Sequence, residues 1–240
     1  MIRPDWPAVA GVSAAITTRK GGVSGAPYDE FNLAEHVGDT PQAVRENRAR
    51  LRRQLALPAE PAWLSQVHGD RVVDAARAEP NAAADAGFSH QRGVVCAVLT
   101  ADCLPVLFCD RGATRVAAAH AGWRGLAAGI LERTVEALQC PPAELMAWLG
   151  PAIGPQHFEV GDEVRDAFVT RHATAVDAFT RQAGGGWHAD LYRLARIRLQ
   201  SAGLLAVYGG GLCTYADPDR WYSFRREAVT GRMAALIWLD

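Results

Sequence analysis

Apolar residues occur along this chain in short runs that predict buried strands, and two of these runs end at residues capable of chemistry. Residues 94–99 form a continuous, β-branched run that stops just before Asp102 and Cys103. Residues 116–119 form a second run that leads directly into His120. Continuous apolar runs bounded by turn residues are typical of core strands. Because sheets of this kind place their sites in loops at strand ends, we expect Cys103 and His120 to lie together.

Other patterns predict further strands and helices in mixed order. The segment 63–73 predicts two strands of a hairpin whose tight turn is His68-Gly69-Asp70. Thr40 and Asp190 are predicted N-caps, of a helix reaching residue 55 and of one ending at Gly203. Further strands are predicted at 12–18, 145–149, 204–208, 221–224 and 233–238, and further helices at 125–138 and 159–171. The mixed order predicts one domain over residues 1–240, an α/β (α+β) fold of mixed β-sheets flanked by helices.

Composition narrows the class of function. The chain has 240 residues, 49% of them hydrophobic, and a formal net charge of -1, so nothing in the overall charge favours nucleic acid or an anionic membrane. No run approaches the ~18 apolar residues of a membrane span, and the start does not resemble a secretion signal. Five cysteines without a CxxC pair argue against a disulfide framework. We therefore expect a cytoplasmic protein that acts on small molecules.

The candidate chemistry lies at His68, Cys103 and His120. Their wide spacing is unlike a zinc finger, whereas three ligands from separate loops with a fourth position left for water fit a catalytic zinc ion. Such an ion lowers the pKa of bound water to about 7. The alternative enzyme is a metal-free cysteine hydrolase in which Cys103 is the nucleophile and His120 is the base. A zinc-stabilised binding module is the non-catalytic alternative, and the spacing alone leaves all three open.

Two other motifs could carry chemistry. The loop that starts at Arg19-Lys20 continues with glycines, and it could cradle an anion or be a plain surface turn. An HxE at His157–Glu159 lacks the later PCxxC that nucleobase deaminases pair with it. Cys96 and Cys109 lie inside apolar runs and are predicted to be core residues.

Six ordered blocks resemble one family. They are TTRKGGVSGAPYDEFNLAEHVGD (17–39), SQVHG (65–69), ADCLPV (101–106), HAGWRG (120–125), GPAIGPQHFEVG (150–161) and YSFRRE with TGR (222–232). Together they resemble the YfiH family, also called peptidoglycan editing factor or the laccase-domain polyphenol oxidase family, from about residue 13 to the end. The resemblance implies zinc on His68, Cys103 and His120. It also implies a fold related to bacterial cysteine-hydrolase toxins.

The resemblance implies several activities. Zinc-dependent phosphorolysis of adenosine, inosine or methylthioadenosine, with adenosine deamination, is favoured, and its partners would be a purine nucleoside and phosphate. Amidase editing of a cell-wall precursor that carries misincorporated serine is an alternative. Copper-dependent polyphenol oxidation is less favoured, because a multicopper laccase needs roughly ten histidines in His-x-His pairs, and this chain has seven and no such pair. A monomer or weak oligomer is expected.

The matching blocks also supply candidate residues around the metal. Asp102 is the candidate proton shuttle because it adjoins Cys103, and Glu159 is a weaker one. Phosphorolysis requires cations that bind phosphate. The candidate substrate-binding residues are Arg19, Asn32, Gln66, Arg124 and Arg225.

Overall fold

The computed structural model describes residues 1–7 and 9–240. The strands are β1 (Val12–Ile16), β2 (Val72–Asp74), β3 (Ala86–Ser89), β4 (Val95–Thr100), β5 (Leu104–Asp110), β6 (Val116–Ala121), β7 (Leu145–Leu149), β8 (Glu159–Val160), β9 (Phe179–Arg181), β10 (Trp187–Ala189), β11 (Ala206–Gly209) and β12 (Met233–Leu239). The helices are α1 (Pro41–Leu55), α2 (Trp123–Ala128), α3 (Ile130–Ala137), α4 (Asp162–Val169) and α5 (Leu191–Ser201). The mixed α/β fold predicted from the sequence is confirmed.

The largest sheet is mixed and has six strands in the order β11-β7-β5-β6-β3-β2. Its two outer pairs, β11 with β7 and β2 with β3, are parallel, and the inner pairs are antiparallel. A three-stranded antiparallel sheet, β1-β12-β4, packs on one face of it. A small sheet, β8-β10-β9, adjoins helix α4.

The core lies between four layers. Helix α1 covers the outer face of the three-stranded sheet, where Leu51 packs with Val95 and Leu236. Between the sheets, alternate residues such as Val98 and Leu107 form a second cluster. On the far face of the larger sheet, helices α2 to α5 form a third cluster. Because β4, β5, β6 and β12 are covered on both faces, their sequences read as continuous apolar runs.

The predicted hairpin at 63–73 is wrong. Residues 72–74 form β2, which pairs in parallel with β3, while Ser65 makes only an isolated bridge to Ala83. The reason is local: the carboxylate of Asp85 accepts the backbone N–H groups of Val67, His68 and Gly69. Those groups therefore bind a side chain and not a facing strand.

Three other predictions need correction. Residues 221–224 form no strand: the N–H of Tyr222 donates to Met233 Sδ and its hydroxyl to the carbonyl of Tyr28. The helix predicted over 125–138 is two helices, because Gly129 adopts φ 113 between them. The helix predicted from 159 begins at Asp162, since residues 159–160 pair with β10.

The two predicted N-caps have different outcomes. Asp190 accepts the N–H of Arg193 and caps α5, as predicted. Thr40 precedes α1, but its side chain makes no capping hydrogen bond.

Cys96 and Cys109 are fully buried, as predicted. Burial raises the pKa of the Cys109 thiol to about 12, consistent with an inert core thiol. Among the described residues, no helix has the length and apolar character needed to cross a membrane.

Candidate metal centre

The structure brings His68, Cys103 and His120 together. Each offers one ligand atom, and these atoms all lie within 4.8 Å of one another. Cys103 Sγ is 3.9 Å from His68 Nε2, and the two imidazole rings meet edge to face with centroids 4.9 Å apart. In the part of the chain that the structure describes, this is the only group of three His, Cys, Asp or Glu residues arranged to hold a metal ion.

The pairing of β5 with β6 creates this meeting point. Pro105 lies opposite His120 in the ladder, so Cys103, in the turn before β5, comes beside the end of β6. The turn is sharp because Asp102 adopts φ 87. His68 reaches the same point from its own loop and also has a positive φ, 60. The three side chains are therefore fixed by three different backbone segments.

A buried carboxylate, Asp85, connects two of these segments. Its Oδ1 lies 2.8 Å from His120 Nδ1 and accepts the N–H of His68 at 2.9 Å. Its Oδ2 accepts the N–H groups of Gly69 at 2.8 Å and Val67 at 3.2 Å. Burial would raise the pKa of Asp85, but these hydrogen bonds outweigh it and lower the pKa. Asp85 thus holds His120 with Nε2 directed to the centre, the arrangement typical of metal-binding histidines.

The electrostatics of the centre favour a thiolate. Burial opposes ionisation of Cys103, yet the adjacent His120 and His68 prevail and lower its pKa to about 6. Conversely, burial opposes the charged form of His120, but Cys103 and Asp85 raise its pKa to about 9. The thiolate is the form of cysteine that binds metals, and it is also the nucleophilic form.

The centre opens into a cavity of about 210 Å³. His120, at the inner end of the cavity, is 3% exposed, whereas His68 is exposed to solvent. Beyond the three ligands, the wall has an apolar part and a polar part, formed by Leu99, Ala101 and Phe224 and by His36, Gln66 and Arg232. The ligand set is therefore reachable by a small molecule from one side.

Of the predicted substrate-binding residues, Gln66 lines this cavity. Its Oε1 accepts the N–H of Leu99, and its Nε2 donates to the carbonyl of the same residue. Asn32 is fully buried and donates to Ala34 and Asp39. Its Oδ1 accepts the N–H of Arg232, so Asn32 contacts the cavity only through that neighbour.

The other predicted residues lie outside the cavity wall. Asp102 accepts the hydroxyl of Thr214 at 2.6 Å and the N–H of Arg225 at 2.7 Å, so each of its carboxylate oxygens already accepts a hydrogen bond. The guanidinium of Arg225 donates to the carbonyl of Glu159. Arg19 donates to two backbone carbonyls, and Arg124 is exposed and lies over the ring of the adjacent tryptophan. Their roles in binding or proton transfer remain predictions.

Four residues at the site were missed from the sequence: His36, Asp85, Phe224 and Arg232. Asp85 had a usable signal, because it is a lone carboxylate in the apolar stretch AAADAGF and a buried charge needs partners. His36, Phe224 and Arg232 belong to the matching blocks, but nothing local distinguishes them from surface residues. Their positions depend on long-range packing.

Comparisons with known proteins place the chain among similar sequences over nearly its whole length. The model of a family described as "Multi-copper polyphenol oxidoreductase laccase" matches residues 13–240. A purine nucleoside phosphorylase of Pseudomonas aeruginosa is 59% identical, with 100% of this chain and 98% of that protein covered. Purine nucleoside phosphorylase YfiH of Escherichia coli is 54% identical, with the same coverage.

Solved structures share the fold. A protein of Neisseria meningitidis has a TM-score of 0.97 at 53% identity, with 100% of this chain and 98% of that chain covered. A Bacillus licheniformis protein named YfiH has a TM-score of 0.90 at 31% identity, with 95% and 93% covered. The layered fold is therefore shared over nearly the whole chain.

Proposed function

Because the chain belongs to the family described as multi-copper polyphenol oxidoreductase laccase, in which its curated relatives are named purine nucleoside phosphorylase, we propose that it is a zinc-dependent enzyme that cleaves purine nucleosides with phosphate. One observation carries this proposal: three ligand atoms from three separate backbone segments lie within 4.8 Å at the inner end of an open cavity. A centre with three protein ligands leaves a position for substrate or water, as catalytic sites do.

The donor set supports zinc. In a tetrahedral zinc site, the usual bond lengths place a sulfur and a nitrogen ligand about 3.6 Å apart. The separation between Cys103 Sγ and His68 Nε2 is 3.9 Å, close to that value. The lowered pKa of Cys103 favours the thiolate that zinc requires. A multicopper centre would need further histidines, and no second group that could bind metal occurs among the described residues.

The cavity wall supports a substrate with one apolar and one anionic part. The ring of Phe224 is half exposed and offers a face on which a purine can stack. Arg232 supplies positive charge at the same wall. Zinc, when bound, supplies Lewis acidity. Deamination of adenosine is the second reaction proposed at this centre, because the same open position can serve water.

The test incubates the zinc-loaded protein with adenosine or inosine, in the presence and in the absence of inorganic phosphate. Chromatography measures the free base that is released. We expect base and sugar phosphate only when phosphate is present. Equal release without phosphate would make the enzyme a hydrolase, and no release would reject nucleoside cleavage. Inosine formed from adenosine would support the deaminase reaction.

A second candidate is a metal-free hydrolase with Cys103 as nucleophile. The specific observation in its favour is the thiol pKa of about 6 beside His120. This mechanism gives His68 no chemical task, whereas a metal centre uses it as the third ligand. The reactivity of Cys103 towards an alkylating reagent separates the two mechanisms.

A further inference from the structure

Phosphorolysis requires a cation that holds phosphate next to the reacting centre. Of the arginines in the matching blocks, Arg19, Arg124 and Arg225 do not line the cavity of the His-Cys-His centre. Arg19 donates to the carbonyl of Asp29 and lies near Glu227, and Arg225 donates to the carbonyl of Glu159. The cavity therefore needs another anion-binding group.

Arg232 lines the cavity together with His68, Cys103 and His120. We propose that Arg232 is the residue that binds inorganic phosphate at this centre, an inference that rests on the proposed phosphorolysis. The side chain is half buried and makes no ion pair with a carboxylate anywhere in the described residues. A desolvated guanidinium without an anionic partner is well suited to bind an oxyanion.

The guanidinium is held in position from one side. Its Nη1 donates to the carbonyls of Thr230 at 2.8 Å and Gly231 at 2.9 Å. Within the described chain, Nε and Nη2 have no protein acceptor, and neither belongs to the buried polar atoms that lack a partner. These two groups form the edge of the guanidinium that binds two phosphate oxygens in parallel.

The backbone beneath Arg232 is also fixed. Its N–H donates to Asn32 Oδ1 at 2.9 Å, and Asn32 Nδ2 donates to Asp39 Oδ2 at 2.9 Å. Such support orders the arginine before phosphate arrives, which reduces the entropy lost on binding. The predicted role of Asn32 in substrate binding thereby becomes the positioning of Arg232.

The test compares Arg232→Gln with Arg196→Gln by calorimetric titration of the zinc-loaded proteins with inorganic phosphate. Arg196 is a matched control, because it is half buried, has no carboxylate partner and donates to the carbonyls of Val207 and Gly209. It does not line the cavity of the metal centre. We expect Arg232→Gln to weaken phosphate binding by about 10- to 100-fold, and Arg196→Gln to leave it unchanged.

Zinc content and melting temperature are measured for each variant. Arg232→Lys keeps the charge but lacks the edge that donates two parallel hydrogen bonds, so we expect an intermediate loss of phosphate affinity. This variant serves as the test if Arg232→Gln does not fold. Wild-type phosphate affinity in a zinc-loaded Arg232→Gln protein would overturn the proposal, as would absence of phosphate binding by the wild type. Binding of adenosine monophosphate without binding of inorganic phosphate would assign Arg232 to a nucleotide and also overturn it.

The outcome separates this inference from the proposed function. Phosphate binding that depends on Arg232, without base release from any purine nucleoside, would reject nucleoside phosphorolysis and keep the anion site. Phosphate-dependent base release with an unchanged KM for phosphate in Arg232→Gln would keep the function and reject the role of Arg232.

Discussion

Asp85 is a fully buried carboxylate, and a charge in that position is tolerated only when its oxygens are hydrogen-bonded. Here the donors are three consecutive N–H groups of the His68 loop, and the fourth partner is His120 Nδ1. One side chain therefore fixes both histidines of the centre. A change that preserves its shape but not its charge tests this positioning role.

We expect Asp85→Asn to weaken zinc binding by roughly 10- to 100-fold, the usual effect of removing a carboxylate that orients a metal-binding histidine. An asparagine amide also presents N–H groups to donors that need an acceptor, so the His68 loop loses part of its support. Zinc affinity is measured by competition with a chromophoric chelator. Unaltered affinity would show that Asp85 does not position the ligands.

Asp110→Asn is the matched control for this variant. Asp110 is 4% exposed and accepts the N–H groups of Thr114 and Arg115, but it lies at the end of β5 away from Cys103. Both substitutions remove a buried, hydrogen-bonded carboxylate and should lower the melting temperature. Only Asp85→Asn should change zinc affinity.

Cys103 is the residue at which the metal-dependent and metal-free mechanisms differ. A thiolate bound to zinc shares its lone pairs with the metal, so native protein should resist iodoacetamide. Chelator treatment and His68→Ala should each expose Cys103 to rapid alkylation, and His68→Ala should abolish activity. Intact-mass spectrometry after brief labelling, with the labelled cysteine located by digestion, measures this.

Two other cysteines act as internal references. Cys96 and Cys109 are fully buried, so they should stay unlabelled in all three folded proteins. Rapid labelling of Cys103 in zinc-loaded native protein would overturn the metal mechanism. It would favour Cys103 as nucleophile and His120 as base.

At the scale of elements, the His68 loop packs against the first turn of α2. A Cβ placed on Gly125 would lie 2.6 Å from the carbonyl oxygen of Gly69, closer than any ordinary contact. Glycine is thus required here by the approach of two backbones, although it lies inside a helix where alanine is normally preferred. The contact fixes how far His68 stands from His120.

We therefore expect Gly125→Ala to destabilise the protein by about 1–3 kcal/mol, the usual cost of overpacking, although helix propensity alone would favour alanine. Displacement of the His68 loop should also weaken zinc binding. Thermal unfolding and chelator competition measure the two effects. Gly184→Ala is the control, because nothing lies within 4 Å of a Cβ built there. A more stable Gly125→Ala protein would contradict the packing argument.

At the scale of the whole molecule, the centre joins segments that are far apart in sequence. Two of its ligands come from loops and the third from the end of β6, and the turn that carries Cys103 is joined to Arg225 through Asp102. A metal that binds only the folded state stabilises it by mass action, by about 2.7 kcal/mol at a concentration 100 times its Kd. Metal binding should therefore raise the stability of the whole fold.

Removal of zinc by a chelator should lower the melting temperature of the wild type by about 5–11 °C under those conditions, since 1 kcal/mol corresponds to ~2–4 °C at this size. Calorimetry with and without chelator, followed by restoration of zinc, measures the shift. His68→Ala should melt at the same temperature in both conditions. A chelator-independent melting temperature in the wild type would mean that the centre holds no metal.

The sequence by itself determined two of the strands at the centre, β4 and β6, and the ligands at their ends; β5, which pairs with β6, was not predicted. Strands β4, β6, β7 and β12 are continuous apolar runs, and burial on both faces produces that pattern whatever the topology. The turn residues that follow β4 placed Cys103, and the end of the apolar run of β6 placed His120. These signals are local, because they depend on neighbours a few positions away.

Only the tertiary structure decided which polar groups meet. Asp85 and His120 are separated by 35 positions, and Asn32 and Arg232 by 200. The hairpin predicted around His68 was wrong for the same reason: its N–H groups find a carboxylate from a distant segment. Hydrogen bonds depend on position and direction in space, and the packing of four layers sets both. A sequence pattern records burial and turns, but not which segments the layers bring together.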